Sequence, residues 1–267
     1  MPAKMHRMHI AKVGEGVIYL PGGVPFEADN APLPYPAGAY MRLGNKEFIY
    51  AIAGNTLNPD LGAKNSLIQK VTQVILAADA LAGATSISLT IATGTEIAKD
   101  ELVGGEVVVF PHDENSFTRG IVSNNAIATG VGGTLVLVLD SPVPVALTKT
   151  TDHAEAMASP YSAVIQGNDG TQPVMGIPTV VATVGQGLWL QVSGPSWVAP
   201  QSLVGVGRNT GLVFRHDGSL EPITITDGGD LTVPDVDYDT SQYAGFVISE
   251  AAGGTQAAPF IMLQIAH

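Results

Sequence analysis

Glycine and proline interrupt this sequence so often that few long amphipathic helices can be drawn through it. With 31 glycines and 18 prolines in 267 residues, only short apolar runs survive between breakers. Short runs bounded by tight turns are the vocabulary of all-β folds. The clearest lies between Val174 and Pro200, which reads as two strands around Gly185-Gln186-Gly187. Its second strand places Leu188, Leu190 and Val192 on one face and Trp189, Gln191 and Ser193 on the other. Both tryptophans, Trp189 and Trp197, fall in this one stretch. It reads as a core and a contact surface rather than a reaction centre.

The rest of the chain divides around it. Residues 1–38 have little periodicity, and Pro25, Pro32, Pro34 and Pro36 block helix and interior-strand bonding. An extended arm is expected over 1–45. A first β block is expected over 46–165, as a small barrel or sandwich. It opens on Lys46–Gly54 and continues through Ile87–Ile91, Gly104–Phe110, Arg119–Val122 and Thr134–Asp140. The last of these is apolar on both faces and reads as interior. Residues 64–76 fit helix and strand about equally, and their β-branched bulk favours strand. Helical turns are expected at Ile97–Leu102 and at Asp152–Ala158. After the polar turn Gln166–Gly170, a second block over 166–267 holds strands at Ser202–Val206, Thr210–Arg215, Pro222–Thr226, Tyr243–Ser249 and Phe260–Ile265. The fold class is therefore all-β, two small barrel or sandwich blocks behind a Pro/Gly-rich arm.

Charge is sparse and uneven. The net charge is −12, with +2 in residues 1–70 and −14 in the remainder. An acidic body repels phosphate backbones, which disfavours nucleic acid as a partner. No apolar run is long enough to cross a bilayer as a helix, and no basic start with an apolar core marks a signal peptide. With no cysteine, thiolate metal sites and disulfides are excluded.

Motifs for chemistry fail one by one. In Gly205-Val-Gly207-Arg-Asn-Thr-Gly211 the third glycine of a dinucleotide loop comes one place late. His153-Ala-Glu155 has the His-x-Glu spacing of zinc deaminases without their cysteines. Neither a Gly-x-Ser-x-Gly elbow nor a Walker loop occurs. Asp235, Asp237 and Asp239 read as a solvated acidic face, with a Ca²⁺ loop as the lesser alternative, since no closing glutamate follows. No enzyme, cofactor or metal is expected.

Six pieces, in order, carry a resemblance: Phe48–Leu57, Ala82–Thr90, Leu137–Thr148, Ser159–Val164, Ala182–Pro195 and Phe260–Ile265. The arrangement resembles the β-rich proteins that decorate or cement the capsids of tailed bacteriophages. The resemblance implies a non-enzymatic virion protein on the outer surface of an icosahedral capsid. Its implied partners are the major capsid protein and itself, as homotrimers, with no nucleic acid and no membrane. Candidate capsid or subunit contacts are Arg7, Met8, His9, Lys12, Tyr19, Phe26, Tyr35, Trp189 and Trp197. The alternative is a head-fibre or tail-associated receptor- or glycan-binding β protein, with Trp189, Trp197, Tyr238 and Tyr243 as its face.

Overall fold

A computed structural model describes residues 17–18, 28–30, 33–66, 69–167, 172–200, 204, 211–225, 231–232, 242–249 and 260–265. Among these no helix forms, and the expected all-β class holds. The N-terminal strands are β1 (Val17–Ile18), β2 (Tyr40–Leu43), β3 (Lys46–Ile52) and β4 (Ala63–Lys64). There follow β5 (Gln69–Ile75), β6 (Ser86–Ile91), β7 (Glu106–Phe110), β8 (Phe117–Asn124), β9 (Gly133–Leu139) and β10 (His153–Met157). The C-terminal part holds β11 (Val174–Pro178), β12 (Gly187–Ser196), β13 (Gly211–Phe214), β14 (Leu220–Pro222), β15 (Thr224–Ile225), β16 (Leu231–Thr232), β17 (Tyr243–Ser249) and β18 (Phe260–Gln264).

The chain separates into two compact units, one of residues 67–160 and the other of the segments on either side. This differs from the expected boundaries at 45 and 165. The reason is a long-range pairing: β3 lies antiparallel against β12, with Ile49 opposite Leu190 and Tyr50 opposite Trp189. Residues 46–66 therefore belong with the C-terminal part. Residues expected to lie in the arm are built in as well. β2 pairs with β3, and β1 adds to β2 in parallel.

In the 67–160 unit six strands run in the order β5-β10-β7-β8-β9-β6, each antiparallel to its neighbours. The sheet curls on itself, so that Leu76 bridges Leu89 and Ala77 N–H donates to the Ser88 carbonyl at 2.7 Å. Alternation explains the core. Ile87, Leu89 and Ile91 of β6 and Leu135, Leu137 and Leu139 of β9 all point inward. β9 lies inside the sheet, but Val136 and Val138 are exposed, so only one of its faces is covered. The expected helical turn at Asp152–Ala158 is strand β10. There Ala154, Ala156 and Ala158 are buried at every second position, a period that a helix does not give. Ile97–Leu102 forms turns rather than a helical turn, with Asp100 at φ 60°. Buried Asn124 pins this loop, accepting from Leu102 N–H at 2.9 Å and donating to the Ala98 carbonyl at 2.8 Å. Burial alone would raise the Asp152 carboxyl. The N–H groups of Thr148 and His112 and the Thr151 hydroxyl outweigh that and hold it below the usual carboxylate range.

In the other unit the main sheet runs β1-β2-β3-β12-β18-β17-β13-β14, with β11 paired to both β12 and β4. The ambiguous stretch at 64–76 is extended where it is described, in β4 and β5. β12 is the hub. Leu188 and Leu190 pack in one apolar cluster with Ala51 and Leu57, and Val192 in a second with Ile49, Leu212, Phe214, Ile261 and Leu263. The expected β11–β12 hairpin forms, with Pro178 opposite Leu190. Its glycines act differently from each other. Gly185 adopts φ 81°, whereas Gly187 is extended and is needed for close approach. A Cβ on Gly187 would stand 2.0 Å from the Tyr50 hydroxyl.

Candidate interaction surface

The second face of β12 carries Trp189. It packs against Tyr50 with ring centroids 5.1 Å apart at 70°, and Tyr35 sits 5.2 Å from it and 5.3 Å from Tyr50. These are edge and tilted contacts of the kind aromatic quadrupoles favour. Sequence explains how Tyr35 arrives there. Pro34 and Pro36 restrict the backbone on either side of it. The segment is then clamped to β3 by Gly38 N–H donating to the Tyr50 carbonyl and Tyr50 N–H donating to the Ala39 carbonyl, each at 2.8 Å. Met41 and Phe48 complete the cluster. Trp189 is thus a core residue in this chain, and Tyr35 is its half-buried cover. The Trp189 indole N–H has no hydrogen-bond partner among the described residues.

Tyr50 is fully buried and donates its hydroxyl to Asp29 Oδ2 at 2.8 Å. Burial, then the Asp29 hydrogen bond and charge, push its ionisation well above the ordinary tyrosine value. The folded chain therefore holds this proton more tightly than the unfolded chain. That stabilisation is whole below about pH 10 and is lost progressively as pH rises beyond it, because the unfolded tyrosine ionises first. Urea titrations on the alkaline side should show a steep fall for the native chain. The slope should be shallower for Tyr50→Phe, which lacks the ionisation.

Past Gln191 the same sheet face opens. The Gln191 amide donates to the carbonyls of Ser193, Gly194 and Pro195 at 3.0–3.3 Å, and Lys46 Nζ donates to its Oε1 at 3.4 Å. Gly194, at φ 94°, lies so close to Asn45 that a Cβ would meet its carbonyl oxygen at 2.3 Å. The turned backbone delivers Pro195 opposite Met262 of β18, and Met262 in turn opposite Phe246 of β17. Paired residues share a face, so Pro195, Met262 and Phe246 form one row. Around it stand Phe260 (55% exposed), Tyr243 (44%), Ile248 (43%) and Trp197 (37%), with Phe246 itself at 38%. No charged residue occurs in Ser193–Trp197, Tyr243–Ser249 or Phe260–Gln264. Beside this face is an open cleft of about 440 Å³ whose walls include Lys46, Asp60, Pro178, Pro195, Trp197 and Phe260.

Of the residues singled out from sequence, Trp197 and Tyr243 lie at this surface among the described residues. Tyr35 and Trp189 are spent on the aromatic cluster, since their rings are needed to fill the space over β3. Arg7, Met8, His9, Lys12, Tyr19 and Phe26 lie outside the described residues, as do Tyr238 and Asp235, Asp237 and Asp239. Tyr243, named with the receptor-binding alternative, is exposed on β17. Phe246, Ile248 and Phe260 were missed as surface residues. The signal was available in Tyr243-Ala-Gly-Phe-Val-Ile-Ser249, where bulky residues sit on both faces of one strand. Among the described residues no group of three His, Cys, Asp or Glu is placed to hold a metal. Comparison of the chain with protein-family models, with curated proteins and with solved structures gave no match.

Proposed function

We propose that this chain is a non-enzymatic virion structural protein that binds the outside of an icosahedral phage capsid and stabilises it, as a cement or decoration protein. The observation that carries this reading is the charge-free apolar face across β12, β18 and β17. Exposed side chains of this size, gathered on one face, mark a site of association between macromolecules. The acidic remainder keeps such a protein soluble and keeps particles apart. The ordered series of β segments that resembles phage cement proteins supplies the kind of partner, the major capsid protein. Many copies on a repeating shell make individually weak contacts collectively strong.

A second reading rests on the cleft. Trp197 and Phe260 beside Lys46 and Asp60 combine apolar rings with polar groups, as a receptor- or glycan-binding fibre protein would. Quantitative mass spectrometry of purified particles separates the two. Copy numbers in the hundreds relative to the major shell protein are expected for a cement protein. A handful of copies would transfer the protein to a tail or vertex and favour the second reading, and no copies would overturn both.

A further inference from the structure

We infer that the six-stranded sheet of the 67–160 unit opens at the seam between β5 and β6, a conformational joint that the equivalent seam between β8 and β9 lacks. The inference concerns this unit alone and does not rest on the cement reading.

The unit repeats one three-stranded motif, so each seam can be compared with its twin. Exchanging β5 with β8, β6 with β9 and β7 with β10 maps the set of strand pairings onto itself. The reciprocal bonds between Ile97 and Ile127 have their counterpart between Leu147 and Ala80. Leu76 opposite Leu89, with Ala77 N–H donating to the Ser88 carbonyl, becomes Asn124 opposite Leu137, with Asn125 N–H donating to the Val136 carbonyl. The seams are one arrangement built twice, and they are closed differently. From Asn124 the β8–β9 ladder continues through Ser123 opposite Val138 to Ile121 opposite Leu139. Among the described residues β5 and β6 keep only the bridge at Leu76. The Asn125 side chain adds two bonds, accepting from Val136 N–H at 2.6 Å and donating to the Thr134 carbonyl at 3.0 Å. Alanine stands at the matching position 77 and can make neither. β5 also carries a bulge, with Thr72 and Gln73 opposite Glu155 alone, and Gln73 at φ 45° is strained for a residue with a side chain. A bulge bends its strand and ends pairing, which leaves this seam short. Parting of β5 from β6 uncovers Leu89, which is fully buried while the seam is shut.

The chain has no cysteine, so single thiols in the full chain report the opening. Leu89→Cys and Leu137→Cys place them at matching, fully buried positions, one in each seam. Under native conditions Leu89→Cys should react with a small thiol reagent roughly tenfold faster, the worth of the extra bonds that close the other seam. Ala77→Asn in that background should slow the reaction by a similar factor, and Asn125→Ala should speed that of Leu137→Cys. Equal rates for the two thiols, or no change with Ala77→Asn, overturn the inference. Should a cysteine variant not fold, hydrogen exchange of the native chain decides. Ala77 N–H should exchange faster than Asn125 N–H although its bond is the shorter, 2.7 Å against 3.4 Å. Equal or slower exchange at Ala77 also overturns the inference.

Discussion

Trp189→Ala should remove about 3–5 kcal/mol from the stability of the unit built on β12. The ring is fully buried and is the common neighbour of Tyr35 and Tyr50. Its loss leaves a cavity beneath a segment that Pro34 and Pro36 make too stiff to collapse into it. Urea unfolding followed by fluorescence suits the test, because Trp197 then remains as the sole indole. Trp189→Phe should lose much less. It keeps an aromatic contact and deletes an N–H group that has no partner among the described residues. A loss of less than about 1 kcal/mol in the alanine variant would show that the cluster is not central to this unit.

Gly105→Ala should be about as damaging in the 67–160 unit, for another reason. A Cβ there would lie 2.0 Å from the Met157 carbonyl oxygen and 2.7 Å from the Ala158 carbonyl carbon. Both are backbone atoms of the chain running through β10, so no side chain can swing aside. Separating β7 from β10 at that point should cost about 3 kcal/mol. Gly94→Ala is the useful contrast. Its φ of 99° disfavours a side chain, yet nothing stands within 4 Å of the new carbon. Strain alone should cost about 1–2 kcal/mol. Hydrogen exchange of the β7 and β10 amides in the full chain would distinguish them. Equal protection in the two variants would mean that the Gly105 contact relaxes freely.

Individual strands were legible in the sequence wherever one face was polar. Ser86, Ser88 and Thr90 mark the outer side of β6 as clearly as Ile87, Leu89 and Ile91 mark its inner side. Two things were not legible. Alanine at every second position of β10 reads as helix because alanine favours helices, and only its neighbours β5 and β7 explain why small residues belong there. The partner of β3 was also hidden. No local signal in Lys46–Ile52 says that its ladder lies at Gly187–Ser193, and the domain boundaries failed with it. The candidate surface was half legible. Trp189 and Trp197 are eight places apart and chemically identical, yet one is sealed under Tyr35 while the other borders a cleft. Burial of that kind is set by what crosses over a strand, which composition does not record.

The pairing of β3 with β12 also bears on how the molecule is made. When β3 leaves the ribosome its partner has not been translated, and the whole 67–160 segment must be synthesised before Ile49 can meet Leu190. Every ladder of the six-stranded sheet, by contrast, closes within that intervening segment. The inserted unit can therefore finish folding on the ribosome while the first strands of the other wait, their apolar edges unmatched. Such a chain is most exposed to aggregation during synthesis, between the emergence of Phe48 and that of Trp189.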